Sequence, residues 1–273
     1  MKRQMFCEIS PVTYRISVWK NILLRKIKNM SGSVKFAKIK SSDKLPCTIF
    51  EHKSVIRRML SGVDMHLQEN KAVNLSIAAP KVDGIIVYPG EVFSFWKLVG
   101  NCNARNGYKE GLTISNSTPS SGVGGGMCQF TNLIHWMVMH SPLDVVEHHH
   151  HDEYDLFPDY QRKVPFGTGT SISYNYLDYR FANNTDTPFQ LIAYVTETHL
   201  CGELRSVNPL EIEYRIETEN EKFVQEEDGV YRTGEVCRLC IDKGSGNLLS
   251  REYIRKNHAK VMYDTSSLEI ENK

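Results

Sequence analysis

The 273-residue sequence lacks the features that mark several common classes of protein. It contains no run of 18 consecutive apolar residues, which excludes a membrane-spanning helix of ordinary length. Its first 30 residues have no compact apolar segment and no small-residue cleavage site, so a secretory signal is not expected. No internal repeat is present, and the composition, 41% hydrophobic and 24% charged, is near the globular average. These absences favour a folded, cytoplasmic protein with a buried core.

The sequence also lacks an even, closely spaced set of cysteines. Its seven cysteines are scattered through a chain that is long enough to fold without disulfides, so we expect reduced thiols. Cys237 and Cys240 form a C-x-x-C pair, but a structural zinc site needs four ligands and no second pair stands at a suitable spacing. We therefore assign the pair to a strand and predict no metal or other cofactor.

The net charge is only +1, but it is unevenly distributed. Residues 1–40 hold ten basic residues and one acid, so they carry +9, and the remainder, with 23 basic and 31 acidic residues, carries −8. Apolar residues at helical spacing between Ile16 and Ile27 predict a helix. This helix either packs on the body with a solvated basic face or lies on the anionic inner face of a membrane. No nucleic-acid-binding motif accompanies the charge, so nucleic acid is not a predicted partner.

Residue patterning predicts an α+β fold, in which a buried helix led by a Gly-rich loop packs on a largely antiparallel sheet. The predicted helices cover residues 54–63, 73–81 and 128–140. The predicted strands cover residues 84–88, 93–96, 171–181, 189–195, 211–216, 236–241 and 251–262. Residues 171–181 and 189–195 are expected to pair as a hairpin, and residues 100–127 are expected to form a functional loop. We divide the chain into a basic leader (1–48), a core domain (49–205) and a β-rich extension packed on the core (206–273).

The densest chemical signal is a run of three glycines shortly before a cysteine. Gly124, Gly125 and Gly126 let the backbone turn sharply and approach a ligand closely, and they deliver Cys128 to the first turn of the predicted buried helix. At a helix start the macrodipole favours a thiolate, and free N–H groups can stabilise an oxyanion. Cys128 is therefore a candidate nucleophile, and Gln129 is a candidate oxyanion donor. The alternative is a buried cysteine that only packs in the core.

Four consecutive histidines, 148 to 151, follow Glu147 about 20 residues later and supply candidate bases for the thiol. On a strand, alternate side chains point to opposite faces, so at most two enter one site: His149 with His151, or His148 with His150. Surface imidazoles with incidental metal affinity are the alternative. His135 lies seven residues after Cys128, roughly 10 Å along a helix, so we predict a hydrogen-bonded core histidine there.

Several motifs occur in a specific order along the chain. They are Pro89-Gly90-Glu91-Val92-Phe93-Ser94-Phe95-Trp96, Gly107-Tyr108 with Gly111, Gly124-Gly125-Gly126-Met127-Cys128-Gln129, Val145-Val146-Glu147 with the histidines, and Asn183-Asn184-Thr185. In this order they resemble the VanW family, members of which occur in some vancomycin-resistance gene clusters. The resemblance covers residues 50–205 and, more weakly, residues 253–263. It implies an accessory protein linked to glycopeptide resistance or the cell envelope, without an established reaction.

The resemblance also implies roles for individual positions. The family's Glu-Arg followed by spaced histidines falls on Glu147, with His151 as the best match and His149 as the second, while His148 replaces the Arg. Its Gly-x-Asp-Ala-Thr segment falls on residues 167–171, so Gly169 stands where many members have Asp. If that Asp orients a catalytic histidine, this chain must use another acid. The candidate acids are Glu147, Asp152 and Asp178.

Two functions from different classes follow from these residues. In the first, Cys128 attacks an acyl carbon of a peptidoglycan-like peptide, with His151 or His149 as the base, in hydrolysis or acyl transfer. In the second, the same site binds a cell-wall precursor or a partner protein without turnover. In both, the three glycines with Trp96 and Tyr108 are candidates for contacting the ligand, although aromatic residues at such positions also pack in cores. A zinc site at Cys128, His149 and His151 is a minor third interpretation.

Overall fold

The computed structural model describes residues 5–30, 32–58, 64–115, 118–150, 153–159 and 164–272. The α-helices in these ranges are α1 (Pro11–Met30), α2 (Met65–Val82), α3 (Phe95–Val99) and α4 (Met127–Met139). The strands are β1 (Cys47–Val55), β2 (Ile85–Val87), β3 (Val92–Ser94), β4 (Glu110–Ser115), β5 (Thr118–Val123), β6 (Asp144–Glu147), β7 (Tyr154–Asp155), β8 (Arg180–Ala182), β9 (Phe189–Val195), β10 (His199–Ser206), β11 (Ile212–Glu226), β12 (Gly229–Asp242), β13 (Leu248–Val261) and β14 (Ile270–Asn272). Short 3-10 turns occupy Phe6–Glu8 and Ala104–Asn106.

The strands form four sheets, and most pairings are antiparallel. One sheet has the order β1-β10-β9-β2, and a second, smaller sheet has the order β3-β8-β6. Strands β4 and β5 form a separate hairpin. The largest sheet has the order β14-β11-β12-β13-β7, in which β14 and β7 join the edges in parallel. Helices and largely antiparallel sheets together confirm the predicted α+β class.

Local sequence explains where the helices begin. The side chains and backbone of Ser10 and Thr13 exchange hydrogen bonds at the start of α1, and Asp64 caps α2 by accepting from the His66 N–H at 2.8 Å. Helix α4 begins differently, because Gly126 at its N-cap has no side chain to offer and adopts a φ of +103°. Only glycine adopts that conformation readily, so the glycine sets the direction in which α4 leaves the loop.

The main hydrophobic core lies between α4, α2 and the β1-β10-β9-β2 sheet. Ten of the thirteen α4 residues are buried, as predicted for a helix that is apolar on all sides. The helix packs closely on β10, since a Cβ at Gly202 would lie 2.7 Å from Cε of Met137. None of the helices in the described ranges combines the length and apolar character that crossing a bilayer requires. All seven cysteines are free thiols, and Cys237 and Cys240 lie in β12 as expected.

Several predicted elements differ from the observed ones. The helix predicted from Ser54 is wrong at its start, because β1 continues to Val55 and pairs with β10; residues 59–63 lie outside the described residues. The predicted loop at 100–127 contains the β4-β5 hairpin. The predicted hairpin of residues 171–181 and 189–195 is also wrong: β9 pairs with β10 and β2, whereas β8 pairs with β3 and β6. The pairings of β8 with β3 and of β9 with β2 join segments far apart in sequence, and local turn signals carry no information about them. The pairing of β9 with β10 is a local hairpin that the sequence analysis did not predict.

The strands of the C-terminal part are longer than predicted. Strands β11, β12 and β13 have 15, 14 and 14 residues, and residues 219–226 form the second half of β11. Six of its eight side chains are polar or charged, and Arg251 of β13 forms an ion pair with Glu219. The division into leader, core domain and extension stays a prediction.

Candidate functional site

The three glycines before α4 lie against other parts of the chain, which occupy the positions where their side chains would be. A Cβ at Gly125 would lie 2.4 Å from the backbone of Gly111, and one at Gly126 would lie 2.3 Å from Cγ of Lys71. At Gly124, which has a φ of +82°, a Cβ would lie 2.5 Å from Cβ of Cys102. These contacts fill the space that a ligand would need. The glycines therefore permit close internal packing, and their role in substrate binding stays a prediction.

Asn74 of α2 joins this glycine segment to the β4-β5 hairpin. Its Nδ2 donates to the carbonyl oxygens of Lys109 and Gly125, both at 2.9 Å, and its Oδ1 accepts from the Lys109 N–H at 2.7 Å. The side chain is fully buried. One amide thus satisfies three backbone groups at the entrance to α4, which orders the loop that leads to Cys128.

Cys128 lies in the first turn of α4 and is half-buried. Burial raises the pKa of its thiol, and the favourable effect of the nearby backbone N–H groups of Ile172 and Cys128 offsets this rise only in part. The expectation of a thiol pKa lowered by the helix macrodipole is therefore wrong. The physical reason is that desolvation of the charged thiolate outweighs the dipole and the two N–H groups. Within the described residues, no histidine nitrogen hydrogen-bonds Sγ.

The side-chain amide of Gln129 hydrogen-bonds the end of β1. Its Nε2 donates to Ser54 Oγ and to the carbonyl oxygen of Val55, both at 2.8 Å. The amide therefore connects α4 to the end of β1. Its donors are occupied by this contact, which is a structural role that the position next to a cysteine did not indicate.

Two of the histidines face α4. Cys128, Asn132 and His135 form one row on this helix, at spacings of four and three residues. The ring of His148 stacks on His135 with 4.3 Å between centroids, and its Nε2–H donates to the carbonyl oxygen of Gly169 at 2.8 Å. His150 lies on the same side, with Nε2 3.5 Å from the position of a Cβ at Gly169. The pair that shares a face with the cysteine row is thus His148 with His150.

Thr170 connects this row to the segment that carries Gly169. Its N–H and Oγ1 donate to Asn132 Oδ1 at 2.6 and 2.8 Å, and its Oγ1 also hydrogen-bonds Thr131 at 2.5 Å. The chain from Thr170 to Ile172 therefore lies directly against the start of α4, where the Ile172 N–H reaches Cys128. This contact explains why the thiol is desolvated although the residue as a whole is only half-buried.

His135 is the hydrogen-bonded core histidine that its position predicted. It is 4% exposed, and its Nδ1 lies 3.1 Å from the hydroxyl of Tyr179. Burial lowers its pKa well below the ordinary value, and the neighbouring His148, His150 and Arg255 lower it further. The imidazole is therefore neutral at physiological pH, and it supports the ring of His148.

Glu147 is the centre of a separate cluster on the other side of the histidine segment. His149 donates from Nε2 to Glu147 Oε1 at 3.1 Å, and the Asp178 N–H donates to the same oxygen at 3.0 Å. Arg25 of α1 donates from Nη1 to Oε2 and from Nη2 to Oε1. Burial raises the pKa of Glu147, but these hydrogen bonds outweigh it and hold the pKa below its ordinary value. Sequence reasoning missed Arg25, since the basic leader gave no signal of a specific partner.

The structure distinguishes among the acids considered as substitutes for the missing aspartate. Glu147 contacts a histidine, whereas Asp178 accepts from Ser94, the Trp96 N–H and Arg180 and so fixes the start of α3. His151 and Asp152 lie outside the described residues. Glu147 with His149 is therefore an acid–imidazole pair, but His149 is directed to Glu147 and away from the α4 row.

Trp96 and Tyr108 lie in the core rather than on a ligand-binding surface. They are 7% and 3% exposed. Nε1 of Trp96 donates to the carbonyl oxygen of Leu177 at 2.9 Å, and the Tyr108 hydroxyl lies 3.2 Å from Nζ of Lys81. Both side chains therefore pack in the core, and their contact with a ligand stays a prediction.

A small cavity opens beside the histidine segment. It has a volume of about 180 Å³ and is lined by His150, Phe166, Arg255, Lys256, Asn257, His258 and Ala259. Four of these side chains carry a positive charge or can gain one. Two acids lie nearby: Glu226 binds His258 at 3.1 Å, and Glu235 lies 3.7 Å from Lys256. The five β13 residues were not predicted as site residues, because their alternating strand pattern indicated only a sheet. In the described ranges, no three His, Cys, Asp or Glu side chains are grouped as metal ligands.

Comparison with known proteins gives a consistent result. A family model described as VanW like protein matches residues 70–205. The chain is 31% identical over 219 residues to the vancomycin B-type resistance protein VanW of Enterococcus faecalis, which covers 80% of this chain and 79% of that protein. It is 30% identical over 128 residues to the uncharacterized protein YoaR of Bacillus subtilis, which covers 46% of this chain and 39% of that protein. No solved structure matches the chain.

Proposed function

The chain belongs to the VanW family, and from this premise we propose that it binds a cell-wall-like peptide or precursor without turning it over. It would do so as an accessory protein of glycopeptide resistance or cell-envelope metabolism. The relative in Enterococcus faecalis is named for vancomycin B-type resistance, and the proposal extends that role to this chain.

One observation supports binding over catalysis: among the described residues, no imidazole nitrogen hydrogen-bonds Sγ of Cys128, and burial raises the pKa of the thiol. A general base must reach the proton that it removes, directly at about 2.6–3.2 Å or through one water. The raised pKa also keeps the thiol protonated at neutral pH. A protonated thiol is a poor nucleophile, and residues 5–30, 32–58, 64–115, 118–150, 153–159 and 164–272 place no base at it, whereas the groups around it can still bind a ligand.

The cavity beside His150 indicates the chemistry of the ligand. Arg255 supplies a positive charge and His150 can gain one, and Phe166 with Ala259 supply a short apolar wall. A carboxylate next to a small aliphatic side chain matches both, because charge-assisted hydrogen bonds to carboxylates are the stronger kind. The free C-terminus of a short cell-wall peptide has this chemistry, and a cavity of about 180 Å³ is large enough for its last residue.

Calorimetry with N-acetyl-D-Ala-D-Ala and its C-terminal amide tests the proposal. We expect the acid to bind at least tenfold more tightly than the amide, since a hydrogen bond to a charged group contributes about 1.5–3 kcal/mol. Arg255→Gln should remove this preference. Arg215→Gln is the matched control, because Arg215 is exposed and pairs with Glu213 in the same sheet. Equal binding of acid and amide, or no binding of either at millimolar concentration, would contradict the proposal.

A second candidate function is acyl transfer by Cys128. It is favoured by the two N–H groups at the sulfur and by the Glu147–His149 pair on the adjacent segment. In such a reaction Sγ adds to the amide carbonyl carbon, its proton passes to the departing amine, and water releases the acyl group and restores the thiol.

Mass spectrometry of the same peptide after incubation with the protein separates the two functions. Cleavage by the wild-type chain that is lost in Cys128→Ala would replace the binding proposal with the catalytic one. Unchanged peptide, together with equal binding by the wild type, Cys128→Ala and Cys128→Ser, would support binding without turnover. The serine variant preserves the volume of the side chain, so it controls for collapse at the start of α4.

A further inference from the structure

Helix α1 carries an apolar stripe on its exposed surface. The stripe consists of Val12, Ile16, Trp19, Leu23, Ile27 and Met30, which are between 48% and 82% exposed. At about 100° per residue, their spacings of three and four place all six within an arc of about 80°. No residue of the helix is buried. Soluble proteins rarely expose a continuous stripe of this kind unless it contacts a partner or a membrane.

The opposite part of α1 attaches the helix to the protein. Arg25 binds Glu147, Asn29 accepts from Arg180 at 3.0 Å, and the carbonyl oxygen of Ile22 accepts from Asn175 at 3.4 Å. These anchors lie about 120° around the helix from the centre of the stripe. The stripe therefore points away from the body, and it is accessible while the anchors are in place.

The charges of α1 identify what would cover the stripe. The helix contains five basic residues and no acid. Arg15 and Lys26 lie along one side of the stripe and Lys20 along the other, within reach of a surface that the stripe enters. A second copy of α1 would bring like charges together on both sides, which is unfavourable, whereas an anionic lipid surface would attract them.

We propose that α1 lies in the interface of an anionic lipid bilayer, with the six apolar side chains inserted among the lipids and the flanking basic residues at the headgroups. This is the arrangement of interfacial amphipathic helices, which combine buried apolar area with attraction to anionic lipids. Met5, Phe6 and Ile9, which are 60%, 54% and 59% exposed, extend the apolar surface beyond the start of the helix. Because Arg25 belongs to the same helix, docking would bring Glu147 and His149 close to the lipid surface.

Tryptophan fluorescence of the full chain provides a direct test. Trp19 is 72% exposed, whereas Trp96 and Trp136 are 7% and 8% exposed, so a change of environment at α1 dominates the emission shift. We expect a blue shift with vesicles of phosphatidylglycerol and phosphatidylcholine in a 3:7 ratio and none with phosphatidylcholine alone. Raised salt should weaken binding, since it screens attraction to the headgroups.

Variants tested by vesicle co-sedimentation locate the contact. Trp19→Glu should abolish binding, while Tyr14→Glu, an equal charge change on an exposed side chain outside the stripe, should retain most of it. Lys20→Gln and Lys26→Gln should each weaken binding about fivefold, as expected for a basic residue near an anionic leaflet. Equal binding to neutral and anionic vesicles, or a Trp19 blue shift in a lipid-free oligomer detected by sedimentation, would overturn the proposal.

Discussion

Arg25 in α1 and Glu147 at the end of β6 form two parallel hydrogen bonds, with N–O distances of 2.5 and 2.7 Å. The two residues are 122 positions apart in the sequence, and their side chains are 18% and 14% exposed. This fork-shaped geometry is the strongest form of ion pair between side chains. It connects the basic leader to the acid that also binds His149, so the leader is part of the candidate site.

A double-mutant cycle of Arg25→Gln and Glu147→Gln should reveal this coupling. We expect a coupling free energy of about 1–3 kcal/mol, since both partners are largely removed from water and hydrogen bonds to charged groups are strong. The measurement is the free energy of opening of α1, from hydrogen exchange of its backbone amides. The exposed pair of Arg215 and Glu213 is the control, for which less than about 1 kcal/mol is expected. Independent effects of the two substitutions would show that the pair does not anchor α1.

The attachment of α1 should depend on pH through Glu147. Its pKa is lowered in the folded protein, so the carboxylate contributes stability that is fully present above the unfolded value of about 4.3. This contribution is lost as the pH falls through the folded pKa. Hydrogen exchange of α1, corrected for the intrinsic rates, should therefore show opening below about pH 4 that is absent from Glu147→Gln. The same acid-induced opening in that variant would assign it to other carboxyl groups.

The buried ammonium group of Lys71 should lower the free energy of unfolding, because burial disfavours its charged form. It is 6% exposed, and burial, followed by the charges of Arg58 and Arg57, lowers its pKa to about 7. Between this value and its ordinary value near 10.5, the unfolded chain binds a proton that the folded chain lacks. Stability should therefore rise with pH across that window, by several kcal/mol at most, since one pKa unit is about 1.4 kcal/mol.

Denaturant unfolding of Lys71→Met should show a more stable protein at neutral pH and a smaller rise towards pH 10. Methionine preserves the length of the side chain and removes the charge. Lys53→Met is the matched control, because Lys53 is exposed on β1 and should leave the pH dependence unchanged. A destabilised Lys71→Met with an unaltered pH profile would mean that the ammonium group is solvated in the folded state.

Gly169→Asp should be tolerated and should raise the pKa of His150. A Cβ at Gly169 would make only ordinary contacts, 3.5 Å from His150 Nε2 and 3.9 Å from Asn132 Oδ1. An ionised carboxylate attached to that Cβ favours the protonated imidazole, so we expect the pKa to rise by about one unit or more. NMR titration of His150 provides the measurement. The neutral isostere Gly169→Asn should give no such rise, and equal titration of the two variants would refute the prediction.

Gly125→Asp serves as the structural counterpart of Gly169→Asp. A Cβ at Gly125 would lie 2.4 Å from backbone atoms of Gly111, which cannot yield as a flexible side chain could. We expect a loss of several kcal/mol, in the range of overpacked sites, measured as a fall in the denaturant midpoint. A stability equal to that of Gly169→Asp would show that the two glycines are equivalent.

The sequence predicted those parts of the fold that are encoded locally. The apolar run from Phe130 to Met139 and the glycines before it indicated α4 to within one residue at each end. The strand pairings were not predictable in the same way. Strand β8 joins β3, some 90 positions earlier, with β6, and such contacts follow from packing of the whole chain rather than from turn residues.

The candidate site was predictable in its residue types but not in its contacts. Cys128 and the histidines stand out by composition, yet the strand alternation could not decide which pair faces α4. The structure directs His148 and His150 to the helix and His149 to Glu147. The direction of the thiol pKa shift could not be predicted from the sequence either. It depends on burial of Cys128 by residues 170–172, which are distant in the sequence.

The single amide of Asn74 has a consequence for exchanging parts between related proteins. Because it serves backbone groups on both the hairpin and the glycine segment, those two pieces form a unit with the middle of α2. In a chimera that received the hairpin alone, the backbone N–H and carbonyl groups of Lys109 would lose their hydrogen bonds to the Asn74 side chain. A chimera that receives the hairpin, the glycines and this asparagine together should keep all three hydrogen bonds and fold.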